Sequence, residues 1–210
     1  MKKILAVLLL LLLITSQTTT ADEPSDSEQT INATARLNAS TVKITSTTGT
    51  GSGFFIAPHS ILTNEHVAHR ESIGDSVNVY RKDKSLCDGT VVYKDEVSDL
   101  ALISTSCAGT PLQVTEKAQE GQTIIVVGNP LGFDFTTFKG IISGLNYTGY
   151  IQCDAKIASG NSGGVMGNLD GEVVGIVTRG ANNNEYIGFA LTGKVINRFL
   201  DRVRKTQTIE

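Results

Sequence analysis

From residue 41 onward, the apolar positions fall in short runs separated by turn residues. Each run is about four to eight residues long and is bounded by Gly, Asn or Asp, which is typical of β-strands joined by tight turns. The predicted strands are Thr41–Ser46, Gly53–Ala57, Ile61–Leu62, Ser76–Tyr80, Thr90–Lys94, Leu100–Thr105, Thr123–Val127, Phe135–Ser143, Tyr150–Asp154, Glu172–Thr178 and Tyr186–Ala190. This density of short strands predicts an all-β sandwich or barrel.

The last apolar stretch repeats with helical spacing instead, and its charged residues lie away from the apolar face. The residues of that face are Val195, Ile196, Phe199, Leu200 and Val203. Thr192 stands where a side chain can cap the first turn. We therefore predict a C-terminal helix, a tail over residues 205–210, and a crossing between two β halves near residues 110–120.

The first 21 residues follow a different pattern. Two lysines precede Ile4–Ile14, an unbroken apolar run of 11 residues, and polar residues follow it. This run is shorter than the roughly 20 residues that cross a bilayer, and the pattern is typical of a secretory signal peptide ending at Ala21. We expect export to the periplasm or the medium, with an uncleaved N-terminal anchor as the alternative. Residues 22–40 are polar and predict a flexible lead-in that ends in at most one helical turn.

The composition of the chain mainly excludes certain classes of protein. The chain has 210 residues, of which 40% are hydrophobic and 19% charged, and its formal net charge is −3. These values are typical of a globular protein and not of a disordered chain, and no basic cluster predicts nucleic-acid binding. No second apolar segment is long enough to span a membrane, so we expect no membrane contact after signal cleavage.

Three short motifs carry residue types suited to acyl transfer. His66 follows an apolar strand, and imidazole is the side chain best suited to moving protons near neutral pH. Asp99 directly precedes another apolar strand, where a partly buried carboxylate needs a partner such as an imidazole N–H. Glycines surround Ser162 in Gly160–Gly164, and they let backbone N–H groups approach a substrate carbonyl.

Each motif alone has a structural explanation: a surface histidine, a turn aspartate and a flexible loop. Their joint occurrence in the order His66, Asp99, Ser162 resembles the trypsin-like serine endopeptidases, with flanks close to the HtrA/DegP type. The motifs are GSGFFIAPHSILTNEHV (51–67), SDLALI (98–103), GNPLG (128–132), IQCDAKIASGNSGGVMGNLDGEVVGIV (151–177) and IGFAL (187–191). The resemblance implies two six-stranded antiparallel β-barrels with a C-terminal α-helix, and a protease domain over residues 41–204.

The resemblance also implies a mechanism for hydrolysing protein or peptide substrates. Ser162 would be the nucleophile, His66 the general base, and Asp99 the residue that orients the imidazole. The N–H groups of Gly160 and Ser162 would form the oxyanion hole, with help from Asn161. No metal or other cofactor is implied.

Asn161 is uncharged, whereas digestive trypsins have an aspartate before the nucleophile that binds the freed N-terminus. We therefore expect no activation of that kind, and equal activity for chains that begin anywhere from Asp22 to Asn38.

Specificity depends on residues that the resemblance places beside the nucleophile. They are Lys156, Ile157, Thr178, Arg179, Gly180 and Gly188. Ile157 favours a small aliphatic residue at P1, the substrate position before the cleaved bond. Lys156 either points to solvent or attracts an acidic P1 residue, as in glutamyl endopeptidases. Residues 178–180 would pair with the backbone of a bound substrate strand.

The three cysteines are an odd number for an exported protein, so at least one is unpaired within the chain. Pairing Lys94 with Asp99 across a hairpin sets Cys87 opposite Ser106, and one bulge would then bring Cys87 to Cys107. We predict a Cys87–Cys107 disulfide. Cys153 is expected to be a small core residue.

Two other functions remain open at this stage: an inactive binding module on the same fold, and a chaperone-like module that holds unfolded clients. HtrA-type enzymes commonly carry a PDZ domain, which needs about 80–100 residues. Only seven residues follow Val203, so we expect no fused PDZ domain. The sequence leaves the oligomeric state open.

Overall fold

The protein forms two closed antiparallel barrels of six strands each, followed by a C-terminal helix. The structure, a computed structural model, describes residues 24–47, 49–68, 71–181 and 184–208. The predicted fold class is confirmed. The predicted signal peptide lies outside the described residues. In the described part of the chain, no helix is both long and apolar enough to cross a membrane.

The first barrel has the strand order β1-β2-β3-β6-β5-β4 and the second the order β10-β11-β12-β9-β8-β7. The first consists of β1 (Thr41–Ser46), β2 (Gly49–Ala57), β3 (Ser60–Thr63), β4 (Ser76–Tyr80), β5 (Leu86–Asp95) and β6 (Leu100–Thr105). The second consists of β7 (Thr123–Gly128), β8 (Thr136–Tyr147), β9 (Tyr150–Cys153), β10 (Val165–Gly167), β11 (Val173–Ala181) and β12 (Asn184–Thr192). The crossing between the barrels contains the predicted residues 110–120.

The two helices are α1 (Asp26–Ser40) and α2 (Gly193–Thr208). Helix α2 contains the predicted C-terminal helix but extends to Thr208, so residues 205–208 are helical and do not form the predicted tail. The Thr192 hydroxyl accepts a hydrogen bond from Val195 N–H at 3.4 Å. Ile196 and Phe199 are fully buried. They join a hydrophobic cluster that contains Phe54 and Leu62 from the first barrel and Ile125 and Val165 from the second. This cluster packs the two barrels against each other.

Helix α1 corrects the expectation of a flexible lead-in over residues 22–40. It has 15 residues, and Ser25 caps it by accepting a hydrogen bond from Glu28 N–H at 3.2 Å. Ala33 and Leu37 are buried against the second barrel, where Leu37 fills the space above Gly167. This contact needs only a narrow apolar stripe. The rest of the helix is polar, so the hydrophobic pattern of the segment did not predict a helix. The expectation of equal activity for every start up to Asn38 is therefore at odds with the structure, because Leu37 is part of the core.

The disulfide between Cys87 and Cys107 is present, with Cα atoms 5.7 Å apart. The predicted hairpin register is wrong near its turn: Lys94 pairs with Ala101 instead of Asp99. One register shift between Val91 and Tyr93 then leaves Gly89 paired with Thr105, which brings Cys87 level with Cys107. The turn lies one residue later than predicted, and the single bulge still brings the two cysteines together.

Candidate active site

Residues from both barrels line a cleft of about 820 Å³. His66 and Asp99 come from the first barrel, and Ser162 comes from the loop before β10 in the second. All three residues of the predicted triad therefore meet at one site, although they lie 33 and 63 positions apart along the chain. The site is only partly buried, since the side chains of His66 and Asp99 are 45% and 28% exposed.

The imidazole of His66 is held by the carboxylate of Asp99. Nδ1 lies 2.9 Å from both carboxylate oxygens, and the backbone N–H of His66 donates to Oδ1 at 3.1 Å. A proton on Nδ1 satisfies this contact and leaves the other ring nitrogen, Nε2, as a base. Thr178 Oγ1 donates to Oδ2 at 3.3 Å, so a residue of the second barrel also holds this carboxylate.

The hydroxyl of Ser162 donates to a backbone carbonyl and not to the imidazole. Its Oγ donates to the carbonyl oxygen of Thr178 at 2.9 Å, and no hydrogen bond joins it to His66 among the described residues. The hydroxyl has one proton, so it must leave Thr178 O before His66 can accept it. Unliganded sites commonly show such loose contacts, which tighten when substrate binds.

The backbone before Ser162 is shaped for an oxyanion hole. Gly160 has φ +97°, and a Cβ there would collide with the carbonyl oxygen of Asn129. Ser52 fixes the loop, because its Oγ donates to Gly160 O at 2.7 Å and its N–H donates to Ser162 O at 2.8 Å. Among the described residues, the N–H groups of Gly160 and Ser162 have no acceptor, and both residues line a cavity of about 290 Å³ beside His66. Two free donors on one loop are what an oxyanion requires.

Asn161 was expected to help form this hole, but its hydrogen bonds go elsewhere. Its side chain is fully buried behind the loop, and its Nδ2 donates to Lys156 O at 3.4 Å. Its backbone N–H already donates to Ala158 O at 3.0 Å. The backbone N–H and the side-chain amide of Asn161 therefore already donate to other carbonyl oxygens.

The predicted specificity residues divide into two groups. Ile157, Thr178, Arg179 and Gly180 line the cleft, whereas Lys156 and Gly188 are not among its lining residues. Lys156 is exposed, which agrees with the alternative in which its side chain faces solvent. Gly188 lies beneath Ile157, and a Cβ there would collide with that side chain. Gly188 therefore gives Ile157 its place beside the cleft.

Sequence reasoning missed Asn64, which connects the motifs. This fully buried side chain donates from Nδ2 to Asp99 O at 2.9 Å and accepts at Oδ1 from Gly163 N–H at 2.7 Å. Asn64 thus connects the turn that carries Asp99 to the loop that carries Ser162. A polar residue between an apolar strand and His66 was the available signal, because a buried amide needs partners for both ends.

A buried ion pair behind His66 was also missed. Lys94 Nζ lies 2.9 Å from Glu65 Oε1, and it donates to the carbonyl oxygens of Glu71 at 2.9 Å and Ala68 at 3.2 Å. These contacts hold the 3-10 turn Glu65–Ala68 that carries His66. The Glu71 carboxylate in turn accepts from Thr47 N–H at 2.7 Å.

Burial opposes ionisation of Glu71, but the hydrogen bonds from Thr47 and the charge of Lys94 outweigh it and lower the pKa of this carboxyl. Cys153 behaves differently, since burial raises the pKa of its thiol to about 11. As expected, Cys153 is a buried core residue. No group of three or more His, Cys, Asp or Glu side chains suited to a metal ion occurs in the described ranges.

Comparison with known proteins places this site in a family. The trypsin-like peptidase domain matches residues 51–176, more than half of the chain. The periplasmic serine endoprotease DegP of Salmonella typhimurium is 34% identical over 170 residues, which are 73% of this chain and 35% of DegP. The serine protease HTRA1 of Xenopus laevis is 34% identical over 174 residues, which are 75% of this chain and 37% of HTRA1. The chain thus spans about a third of the length of these curated relatives.

Solved structures agree with the sequence comparisons. The inactive form of Rv3671c from M. tuberculosis H37Rv superimposes with a TM-score of 0.75 at 28% identity, covering 88% of this chain and 96% of that one. The serine endoprotease from Yersinia pestis has a TM-score of 0.75 at 27% identity, covering 86% of this chain and 67% of that one. The chain belongs to the trypsin-like peptidase family, and serine proteases of the HtrA/DegP type are among its relatives.

Proposed function

We propose that this chain is an exported serine endopeptidase that cleaves protein or peptide substrates through an acyl-enzyme. The observation that carries the proposal is the Nδ1 contact of His66 with Asp99 in the cleft that also contains Ser162. In the first step, Ser162 Oγ attacks the scissile carbonyl while its proton passes to His66 Nε2. Asp99 stabilises the imidazolium that forms.

The developing oxyanion is then stabilised by the free N–H groups of Gly160 and Ser162. His66 protonates the departing amine, and a water molecule activated by the same imidazole hydrolyses the ester. This sequence needs no metal or other cofactor. Export is supported by the pattern of the first 21 residues and by the similarity to the periplasmic serine endoprotease of Salmonella.

The decisive variant is Ser162→Ala. The purified wild type should cleave an unfolded protein substrate and react covalently with a fluorophosphonate probe, and the variant should do neither. Ser159→Ala is a matched control, because Ser159 also lines the cleft but is assigned no chemical step. It should label like the wild type.

An inactive binding module is the second candidate, favoured by one contact: Ser162 Oγ donates to Thr178 O and not to His66. A folded wild type that fails to label, yet retains peptide affinity, would establish this alternative and overturn the first. Such a module would hold clients without cleaving them.

For the cleft beside Ser162 we propose a small aliphatic P1 residue such as Val or Ala. Ile157 lines this region, and its apolar side chain lies over Gly188. Ile157 is half-buried, and such an apolar wall favours apolar groups and disfavours a carboxylate that lacks a partner. Exposed Lys156 is the basis of the competing proposal of an acidic P1.

Cleavage-site profiling with a peptide library decides between the two. We expect Val and Ala to dominate at P1 and Lys156→Ala to leave the profile unchanged. Enrichment of Glu or Asp that disappears in Lys156→Ala would establish the acidic specificity instead.

A further inference from the structure

The turn that carries Asp99 has very little packing of its own. It connects β5 to β6, and Val97 at its tip is 99% exposed. Asp99 itself has φ +51°, in the left-handed region that a non-glycine residue rarely adopts. Burial of apolar side chains therefore does not determine the conformation of this turn, and polar contacts must do so.

Besides the bond from Asn64 to Asp99 O, one carboxylate supplies most of those contacts. Asp95 Oδ1 accepts hydrogen bonds from Val97 N–H at 3.0 Å and Ser98 N–H at 3.4 Å, and Oδ2 accepts from Ser98 Oγ at 2.7 Å. Its side chain is only 16% exposed. Burial opposes ionisation, but the bonds from Ser98 and the charge of Arg202 outweigh it, so the pKa of Asp95 lies below its ordinary value. The carboxylate is thus charged when it folds the turn.

The partner of this carboxylate comes from helix α2, which follows the second barrel. Arg202 Nη2 forms an ion pair with Asp95 Oδ2 and donates to Ser98 Oγ at 3.3 Å. One turn earlier on α2, the ring of Phe199 contacts the ring of Tyr93 edge-on, with centroids 5.5 Å apart. Tyr93 and Asp95 are two residues apart on β5 and therefore lie on the same face of that strand. The same face of the strand contacts α2 twice.

We propose that Arg202 is a positioning residue that acts through Asp95 and Ser98 to hold Asp99, and therefore His66, in register with Ser162. The proposal rests on the proposed peptidase function. Asp99 belongs to the first barrel and Ser162 to the second, so their separation depends on contacts between the two halves. A misplacement of about 1 Å is enough to slow a reaction by roughly a hundredfold.

The test uses Arg202→Gln in the full chain, with steady-state cleavage of a peptide substrate. We expect kcat to fall about tenfold while KM stays within about twofold, because the contacts to substrate remain intact and only alignment is lost. The pH profile of kcat should shift as well, since His66 loses part of its fixed contact with Asp99. NMR titration of the His66 ring reports the same change without turnover.

Two further variants distinguish positioning from general stability. Arg202→Lys keeps a cation in reach of Asp95 and should recover most of kcat. Arg204→Gln is the matched control: Arg204 is exposed on the same helix and pairs with Asp201, one turn away, so kcat and the pH profile should stay unchanged.

The possible results distinguish failure of the positioning role from failure of the proposed peptidase function. An unchanged kcat in Arg202→Gln, or a loss that Arg202→Lys fails to recover, overturns the positioning role. A lower kcat with an unmoved pH profile and an unmoved His66 titration also overturns it, because the variant then acts only through stability. Failure of the proposed function itself would appear as a wild type without activity or labelling.

Discussion

At the scale of single residues, backbone conformation next to Ser162 determines what the site can do. Gly160 combines a left-handed φ of +97° with close approach to the Asn129 carbonyl oxygen. Only a residue without Cβ satisfies both conditions. The orientation of the Gly160 N–H, and with it half of the proposed oxyanion hole, depends on this one position.

Gly160→Ala should therefore reduce kcat by roughly a hundredfold or more, the usual loss when one oxyanion donor is removed. Peptide cleavage and the rate of fluorophosphonate labelling measure this effect. Gly121→Ala is the control, because Gly121 has φ +81° but open space around it, so it adds backbone strain without a collision. A Gly160→Ala enzyme within threefold of wild type would contradict the assignment.

Cys153 should be chemically inert in the folded protein. With its pKa raised to about 11 by burial, only a minute fraction of the thiol is ionised near pH 7.5, and the thiolate is the reactive form. Iodoacetamide should leave the native chain unmodified over an hour and add one group per chain in guanidinium chloride. Mass spectrometry gives the count, and rapid alkylation of the native protein would refute the prediction.

At the scale of elements, α1 is a structural part of the second barrel. Arg36 also reaches the carbonyl oxygen of Asp170 across this contact, at 3.5 Å. The capping pattern Ser25-x-x-Glu28 was a readable signal for the start of a helix. The apolar stripe was not readable, since two buried apolar side chains in 15 residues are too few to stand out from a polar segment.

Leu37→Ala should destabilise the protein by about 2–5 kcal/mol, the usual cost of removing a fully buried leucine side chain. Denaturant unfolding measures this free energy. Ile31→Ala on the same helix is the control, because Ile31 is 64% exposed and should change stability by less than about 0.5 kcal/mol. Equal effects of the two variants would show that α1 does not dock in solution.

At the scale of the whole molecule, the free energy of unfolding depends on charges held behind the active site. Glu71 is nearly fully buried, and its pKa is lowered from the ordinary 4.5. A carboxyl whose pKa is lower in the folded state adds stability above its unfolded pKa. This contribution declines as the pH falls towards the folded pKa and vanishes below it.

Glu71→Gln should therefore lower stability at pH 7 by about 1.5–3 kcal/mol, since charge-assisted hydrogen bonds from Thr47 are weakened. The difference from wild type should shrink as the pH falls from about 5 to below the folded pKa. Chemical unfolding at a series of pH values measures it. Asp201→Asn, at an exposed position of α2, should show no such dependence, and a constant gap for Glu71→Gln would disprove the role of its ionisation.

The amino-acid sequence alone was enough for the order of the three motifs and for eleven of the twelve strands in the described residues, because only the three-residue strand β10 (Val165–Gly167) was not predicted. Alternation, turn residues and the helical spacing near the C-terminus are local properties, so they can be read without knowing which segments meet. The Cys87–Cys107 pairing also followed from a local hairpin, despite a register error at its turn.

Tertiary structure alone decided the contacts between distant segments. Asn64 bridges to Gly163, Arg202 reaches Asp95, and Ser162 donates to Thr178 O instead of His66. Each of these depends on the closure of the barrels and on their packing against each other, which no local pattern encodes. The residue types at the site were therefore evident from the sequence, whereas the contacts that align them arise only when both barrels and α2 have come together.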